Sequence, residues 1–383
     1  MNILPEEIIL YILNYLENTT DVINFCLLNK FYRNLVYRNK NNFRCISTFD
    51  NRYINQVKES DIIGKIKIKT SNFVDIFKII NKINTLHLHS YIEDAYTLRN
   101  IENLNLSRCY NLWNVSSLGN VKKLDLSNCP EITDVSMLGN CEELILSSCY
   151  NISDVSSLVN VKKLNLSGCK KISDVSMLRN CEELNLSYCD KITDVSMLGN
   201  CEDLNLCACK NISDVSMLRN IKKLNLSNCY NISDVSMLGN VKELNLSYCY
   251  YNITDVSMLG NVKELNLSYC YNISDVSMLG NVKKLNLSNC YNISDVSMLI
   301  YVEELDLSYC DNITDVSMLG NIKKLNLSGC KNISDFSMLR NKELNLCACK
   351  NISDVSMLIY VEELNLSYCD NIKDVSMLGN VKN

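Results

Sequence analysis

The sequence predicts an α/β repeat protein in which short parallel strands and tight turns follow one another along a solenoid. Three observations lead to this class. A block of about twenty residues recurs from Ile101 to the C-terminus. Its apolar positions keep one register in every copy, and they alternate over only three residues per copy. Because such a unit cannot bury its apolar face alone, neighbouring copies must stack on one another.

The repeat is regular over residues 101–383, with two irregularities. Tyr251 is an extra residue within a turn, and the copy that begins at Lys342 has lost its first apolar residue. The fourteen copies begin at Ile101, Val121, Cys141, Val161, Cys181, Cys201, Ile221, Val241, Val262, Val282, Val302, Ile322, Lys342 and Val361.

Residues 118–138 illustrate how one copy is built. The alternation at Leu124, Asp125 and Leu126 predicts a short strand over these three residues. Residues 135–138 have room for one helical turn, and the side-chain oxygen of Asp134 can cap it. The other apolar residues are spaced by three, so each one points inward once per bend of the chain.

This pattern resembles the leucine-rich repeat, whose core L-x-x-L-x-L-x-x-N/C-x-L is matched here by L-x-x-L-N-L-S-x-C-x-x-I. The resemblance implies a solenoid with a parallel β-sheet on its concave face and short turns or 3-10 segments on its convex face. Two weaker copies, at 63–68 and 83–88, keep the strand pattern. Residues 63–100 are therefore expected to form divergent repeats ahead of the regular ones.

Residues 1–48 lack the repeat and have a different sequence pattern, with apolar residues at helical spacing in three short segments. The segment resembles an F-box, on the strength of Leu-Pro-Glu-Glu-Ile at 4–8 and Leu-Leu-Asn-Lys-Phe-Tyr-Arg-Asn-Leu at 27–35. Residues 49–62 would connect it to the repeats. An alternative is that these helices only cap the open end of the solenoid.

The F-box resemblance implies partners for both parts of the chain. The family docks onto a Skp-type adaptor of a cullin-based ubiquitin ligase, and the repeats that follow recruit a protein substrate. Tyr32 stands where the family often has Trp. The residues that would contact the adaptor or support that surface are Leu4, Pro5, Ile8, Ile12, Leu16, Leu28 and Tyr32.

Two features of the predicted sheet face have a structural and a functional interpretation. Asn occupies one strand column almost throughout, from Asn105 to Asn365. It forms either a polar recognition strip or a ladder of stacked amides, and its uniformity favours the ladder. Charge alternates between adjacent copies, as in Lys122-Lys123 followed by Glu142-Glu143, which favours correct stacking more than partner docking.

Tyrosines vary from copy to copy in two columns beyond the strand. Exposed aromatic clusters are enriched in protein interfaces, although tyrosines can also simply cover the edges of turns. We expect the target-binding residues to be Tyr188, Tyr230, Tyr248, Tyr250, Tyr269, Tyr271, Tyr291 and Tyr309.

Composition narrows the class of function. The net charge is −5 and no stretch concentrates Lys and Arg, so neither nucleic acid nor a membrane is an expected partner. No apolar run reaches the length of a membrane span, and Glu6 and Glu7 stand where a signal peptide would carry basic residues. A reducing compartment, cytoplasmic or nuclear, is expected, and the duplicated, Asn- and Tyr-rich composition hints at a large virus as the source.

Twenty-one cysteines raise the question of metal or redox chemistry. Fourteen recur at one repeat position, which predicts a buried column of reduced thiols. In the pair formed by Cys207 and Cys209, the two side chains should point apart, which disfavours a metal site. No motif for nucleophilic catalysis or for phosphate or dinucleotide binding is present. The chain is expected to be a non-enzymatic protein without a cofactor.

Overall fold

A computed structural model describes residues 67–70, 85–88 and 92–379. The chain divides into two units, residues 1–171 and 172–383. The predicted F-box-like segment 1–48 and the connector 49–62 lie outside the described residues, and so does every predicted adaptor-binding residue. The division into domains therefore stays a prediction.

The first unit contains a parallel sheet whose strands pair in chain order. The first two strands fall in the divergent repeats and keep the register of the regular ones, with Leu86 opposite Leu104. The strands are β1 (Lys67–Thr70), β2 (Thr85–Leu88), β3 (Asn103–Asn105), β4 (Lys123–Asp125), β5 (Glu143–Ile145) and β6 (Lys163–Asn165).

The strands of the second unit are also parallel, and each pairs with the next one in chain order. Each central leucine lies opposite the central leucine of the next strand, as Leu244 does opposite Leu265. The strands are β7 (Glu183–Asn185), β8 (Asp203–Asn205), β9 (Lys223–Asn225), β10 (Glu243–Asn245), β11 (Glu264–Asn266), β12 (Lys284–Asn286), β13 (Glu304–Asp306), β14 (Lys324–Asn326), β15 (Glu343–Asn345) and β16 (Glu363–Asn365).

The helical turns within the described residues are all of the 3-10 type, as the short repeat predicts. The coils at 297–299 and 337–339 form simple turns instead. The 3-10 helices are Tyr96–Leu98, Ser116–Leu118, Ser136–Leu138 and Ser156–Leu158 in the first unit; in the second they are Ser176–Leu178, Ser196–Leu198, Ser216–Leu218, Ser236–Asn240, Ser257–Leu259, Ser277–Leu279, Ser317–Leu319, Ser356–Tyr360 and Ser376–Leu378.

Local hydrogen bonds explain where each strand ends. The strand predicted over 124–126 is observed at Lys123–Asp125, one residue earlier. The reason is that Asp125 Oδ1 accepts the backbone N–H of Ser127 at 2.9 Å, which bends the chain directly after the strand. Asn128 then adopts a left-handed conformation with φ of 59°. Asp134 Oδ1 does accept a backbone N–H of the helical turn, that of Ser136 at 2.8 Å, although the N-cap residue itself is Val135.

The core of each unit is a stack of identical apolar layers. The strand leucines, the cysteine, the Ile of the turn and the Val and Leu of the helical turn are almost fully buried in coil after coil. In the copy at Lys342, Asn341 takes the place of the missing apolar residue and is 1% exposed. Its Nδ2 donates to the carbonyl oxygens of Leu319 and Ile322, both at 2.8 Å, so a polar side chain fills this layer.

Candidate functional site

The sheet face of the second unit forms an open trough that we call the strand trough. It has a volume of about 970 Å³ and is lined by the outward side chains of β8 to β16. β8 contributes only Asp203, and each coil from β9 to β16 contributes three positions: a charged residue, the edge of the central leucine, and an Asn or Asp, as in Glu243, Leu244 and Asn245. The trough therefore combines charged and amide side chains with a substantial apolar floor formed by the leucines.

The amides of the strand column do not form the ladder that the sequence favours. In the second unit, Asn245 Oδ1 accepts the backbone N–H of Ser247 at 2.9 Å, within its own coil. The same bond recurs at Asn185, at 3.0 Å to Ser187. Among the described residues, one Nδ2 of this column reaches the next coil, from Asn105 to Asp125 Oδ2 at 2.7 Å. The column thus shapes the turns. Its asparagines from Asn225 to Asn365 line the trough, and within the described part of the second unit their Nδ2 groups have no protein partner.

A different Asn column joins the coils. In the turn after the cysteine, Asn211 Nδ2 donates to the carbonyl oxygen of Asp190 in the preceding coil at 2.6 Å. Asn332 bonds in the same way to Asp311, at 2.7 Å. Further examples are Asn151, Asn252, Asn272, Asn351 and Asn371. The recurrence of Asn at this position is visible in the sequence, but it does not by itself predict that these side chains join the coils.

Charged side chains along the sheet pair between adjacent coils, as predicted. In the second unit, Lys223 Nζ lies 2.9 Å from Glu243 Oε2, and Lys324 Nζ lies 2.9 Å from Glu343 Oε2. These pairs are about half exposed, so each contributes little to stability and mainly favours correct register.

Seven tyrosines pack together at the carboxyl ends of β9 to β12, and we call this group the tyrosine cluster. Tyr248 and Tyr269 stack with ring centroids 4.3 Å apart, and Tyr271 and Tyr291 stack at 5.2 Å. Tyr250 touches rings on both sides, so the contacts are continuous. The members are Tyr230, Tyr248, Tyr250, Tyr251, Tyr269, Tyr271 and Tyr291.

Six of the eight tyrosines predicted to bind a target fall in this cluster. Tyr188 and Tyr309 do not belong to it and stand singly, 58% and 49% exposed. The structure adds Tyr251, the inserted residue, whose ring lies 5.3 Å from that of Tyr271. The insertion also lets the backbone of Tyr250 bridge to Cys270 in the next coil. Its signal in the sequence was the break in an otherwise fixed repeat length.

Two cluster residues occupy a conformation that disfavours large side chains. Tyr248 and Tyr269 have φ of 60° and 62°, the left-handed region that Gly and Asn adopt more readily, and a third cluster residue, Tyr250, has a positive φ of 30°. Asn228 and Asn289 occupy the same repeat position with φ of 61° and 59°. Ring stacking therefore favours tyrosine at these two positions, whereas the backbone conformation does not. Burial against neighbouring rings raises the pKa of Tyr248 and of Tyr271.

The cysteine column is buried and chemically quiet. All nineteen cysteines within the described residues are free, and of these Cys207 and Cys347 are half-buried while the others are buried. Cys129 Sγ donates to the carbonyl oxygen of Leu106 at 3.2 Å, and Cys149 Sγ to that of Leu126 at 3.1 Å. Desolvation raises the pKa of Cys129 to about 12 and that of Cys149 to about 11, so both remain thiols at neutral pH.

The described residues contain neither a group of metal ligands nor a membrane-spanning helix. Over 67–70, 85–88 and 92–379, no three His, Cys, Asp or Glu side chains are grouped so that they could hold a metal ion. In the same stretches, no helix combines the length and the apolarity that crossing a bilayer requires.

Comparison of the sequence with known families finds one match. The family described as Leucine Rich repeat matches residues 300–319, which is one coil around β13. No curated protein matches the sequence.

Comparison with solved structures finds leucine-rich-repeat proteins. An internalin (inlF) from Listeria monocytogenes is 22% identical, with a TM-score of 0.50, over 81% of this chain and 89% of its own. A leucine-rich-repeat protein from Leptospira interrogans is 18% identical, with a TM-score of 0.51, over 87% of this chain and 92% of its own. At these identities the likeness establishes the fold, which is that of a leucine-rich-repeat solenoid.

Proposed function

We propose that this protein is a non-catalytic scaffold that binds a partner protein through the second unit. The tyrosine cluster beside the strand trough is the observation that carries the proposal. Stacked tyrosines present large apolar area with hydroxyl groups at the rim and lose little conformational entropy on binding. The trough beside them offers amide N–H donors and charged groups that can fix the orientation of a partner.

The backbone supports this interpretation of the cluster. Asn would fit the left-handed positions of Tyr248 and Tyr269 with less strain, as Asn228 and Asn289 do in neighbouring coils. A half-exposed aromatic side chain held against the backbone preference contributes less to folding than its size would allow. Recognition of a partner accounts for such residues better than fold stability does.

Variants that remove the rings but keep the fold test the target-binding surface. We expect Tyr248→Asn combined with Tyr269→Asn to lose partners that crosslinking and mass spectrometry detect with the wild-type full chain. Tyr368→Asn changes the same repeat position outside the cluster and is the matched control, since Tyr368 is 78% exposed. Identical crosslinked partners for all three proteins would reject the tyrosine cluster as the binding surface.

We further propose that the chain is the substrate-recognition subunit of a Skp–cullin–F-box ubiquitin ligase. The support is the sequence resemblance of residues 1–48 to an F-box ahead of the repeats. In this scheme residues 49–62 connect the F-box-like domain to divergent repeats at 63–100 and regular repeats at 101–383. The ligase would act on a target held by the repeats, because proximity raises its effective concentration. With a viral source, the targets would be host proteins in the cytoplasm or nucleus.

The alternative is an interaction scaffold whose N-terminal helices only cap the solenoid. Co-purification of the full chain with a Skp-type adaptor and a cullin distinguishes the two. We expect the wild type to retain both proteins, and the double variant Leu4→Asp, Pro5→Ala to lose them without a change in the circular dichroism of the sheet. If the folded wild-type chain retains neither protein, the ligase role is rejected and the capped scaffold remains.

A further inference from the structure

A continuous row of exposed methionines runs along the helical turns of the second unit. We call it the methionine stripe. Each member stands at the middle of the S-M-L segment, and all are between 41% and 63% exposed. The stripe consists of Met177, Met197, Met217, Met237, Met258, Met278, Met298, Met318, Met338, Met357 and Met377.

The fold does not require methionine at this position. In the first unit, Ser117 and Ser157 occupy the middle of the same segment, and the 3-10 helices Ser116–Leu118 and Ser156–Leu158 form around them. In the coils before the last one, the Val (or Phe336) two residues before this position and the Leu after it are buried and hold the turn to the core. A long row of exposed apolar side chains is unusual on a protein that keeps no partner there.

Shallow clefts separate the coils along the stripe. Four of them follow in succession, with volumes of 240, 390, 350 and 250 Å³. Each is lined by Asp, Ser, Met and Leu side chains of adjacent coils; the first, for example, lies between Asp234 and Met258. An apolar side chain of a partner can enter such a cleft and contact the flexible thioether chain beside it.

A row of aspartates accompanies the stripe, three residues before each methionine. Asp255 interacts electrostatically with Asp234 and Asp275 in the adjacent coils. Asp315 interacts in the same way with Asp295 and Asp335. Within the described part of the second unit, none of these six aspartates beside the stripe forms an ion pair. Hydrogen bonds from the backbone N–H and hydroxyl of the following Ser lower the pKa of each, so the row is ionised at neutral pH.

The negative charge also exceeds what the fold needs. Asn114 stands at the same repeat position in the first unit, and its Oδ1 accepts the backbone N–H of Ser116 at 3.2 Å. The turn therefore requires an acceptor and not a carboxylate. The second unit presents an uncompensated acidic row beside an exposed apolar row.

We propose that the methionine stripe and its aspartate row form a docking surface for a basic amphipathic α-helix of a partner protein. The apolar face of the helix would enter the clefts, and its Lys and Arg side chains would meet the aspartates. Charge complementarity selects this partner, because an acidic helix or an anionic membrane would face the same row with like charge.

Spacing favours a helix over an extended segment. Neighbouring coils are about 4.8 Å apart, close to the helix pitch of about 5.4 Å, whereas the side chains on one face of a strand repeat at about 6.8 Å. From the first cleft to the last is about 14 Å, which about ten helical residues span. A helix of three turns therefore suffices to fill the four clefts.

A synthetic amphipathic peptide of Leu and Lys, about 16 residues long, tests the proposal by fluorescence anisotropy with the full chain. Its counterpart with Glu in place of Lys is the charge control. We expect the basic peptide alone to bind, and added salt to weaken its binding. Equal binding of both peptides, or no binding of the basic one, would overturn the proposal.

Two triple variants locate the surface, and both copy residues that the chain already uses. Met258→Ser, Met278→Ser, Met298→Ser follows Ser117 and Ser157, and Asp255→Asn, Asp275→Asn, Asp295→Asn follows Asn114. We expect each to weaken binding at least about tenfold, with Tyr368→Asn, which lies outside both the stripe and the tyrosine cluster, as the unaffected control. Undiminished binding in either triple variant, with circular dichroism unchanged, would show that the peptide binds elsewhere and would refute the docking surface. Equal affinity for the same basic peptide interrupted by proline would refute the helical partner.

Discussion

At the scale of the residue, the position directly after each strand turn carries a constraint of its own. In every coil from Arg108 to Tyr368 it has a positive φ, although Gly occupies it only at Gly168 and Gly329. The residue type at this position therefore meets two demands: it must tolerate a positive φ, and its side chain must suit the surface of its coil. The side chain is exposed at Tyr188 and Tyr368 but buried at Ala208, so the position accepts residues of different size.

Replacement of Ala348 by Gly at this position should stabilise the protein. Ala348 has φ of 59°, and Gly adopts this conformation without the steric penalty of a Cβ. The gain is partly offset by the greater freedom of Gly in the unfolded chain, so we expect about 0.5–1 kcal/mol. Chemical denaturation of the full chain measures it, as a higher midpoint.

The opposite change at Gly329 should destabilise. A Cβ there would lie 2.5 Å from a ring carbon of Tyr309, and its φ is +73°. Gly329→Ala therefore combines backbone strain with displacement of the ring. A higher midpoint for this variant, or a lower one for Ala348→Gly, would contradict the assignment of strain to this position.

The amide of Asn341 takes the place of an apolar residue in the core. Asn341→Asp would place a carboxylate oxygen against the carbonyl oxygens of Leu319 and Ile322 in a buried layer. We expect a loss of about 2–3 kcal/mol in the free energy of unfolding. Asn341→Val, which restores the residue type of most other coils, is the control and should cost less. Equal stability of the two variants would mean that the buried carboxylate carries no penalty beyond the loss of the two hydrogen bonds.

At the scale of the element, the helical turns depend on an acceptor at the Asp of S-D-V-S. Asp255 Oδ1 accepts the backbone N–H of Ser257 at 2.9 Å, and this bond recurs along the second unit. It lowers the pKa of Asp255 below its usual value. A group of this kind stabilises the fold fully above its unfolded pKa, and the contribution is lost as the pH falls through its folded pKa.

The coils should therefore lose stability in acid, as many aspartates become protonated together. We expect the denaturation midpoint to fall between about pH 5 and about pH 3, the range just above and below the usual Asp value. Replacing Asp255, Asp275 and Asp295 by Asn keeps the acceptor, as Asn114 does, but removes the titration. That triple variant should lose less stability over the same range, and an unchanged loss would exclude these carboxylates as its cause.

At the scale of the whole molecule, each unit is a stack of equal layers, so a column of one residue type runs through many coils. The cysteine column is the clearest case. Its thiols are enclosed above and below by the next layers, and desolvation raises the pKa of Cys290 to about 12. Reactivity should then follow exposure and not the number of cysteines.

Thiol labelling with a maleimide, followed by peptide mass spectrometry, tests this organisation. Among the described cysteines we expect Cys207 and Cys347 to react first, since they are half-buried while the column is buried. Cys229 and Cys290 should react only when denaturant opens the coils. Labelling of Cys229 as fast as Cys207 in the native protein would show that the layers are not closed.

The sequence alone was sufficient for the repeat length, the buried columns, the parallel strands and the single helical turn. These follow from periodicity, because a residue that recurs at one place in every copy must face the same way in every copy. Residues 124–126 were placed one position late because the Asx turn at Asp125, and not the alternation, ends the strand. Six of the eight tyrosines expected to bind a target lie in the cluster. Tyr188 and Tyr309 occupy the same repeat position as Tyr248 and Tyr269, yet within the described part of the chain they do not stack on another ring.

Only the tertiary structure decided which polar column joins the coils and which tyrosines meet. The strand asparagines and the turn asparagines recur equally well in the sequence, but the former bond within their own coil and the latter reach the carbonyl of the preceding one. That choice depends on the distance and direction between backbones of adjacent coils. The same holds for Tyr251 and for Asn341, where one residue more or fewer changes which groups the stacking brings into contact. The repeat period predicts the direction in which a side chain points. Which side chains touch depends on the spacing of adjacent coils.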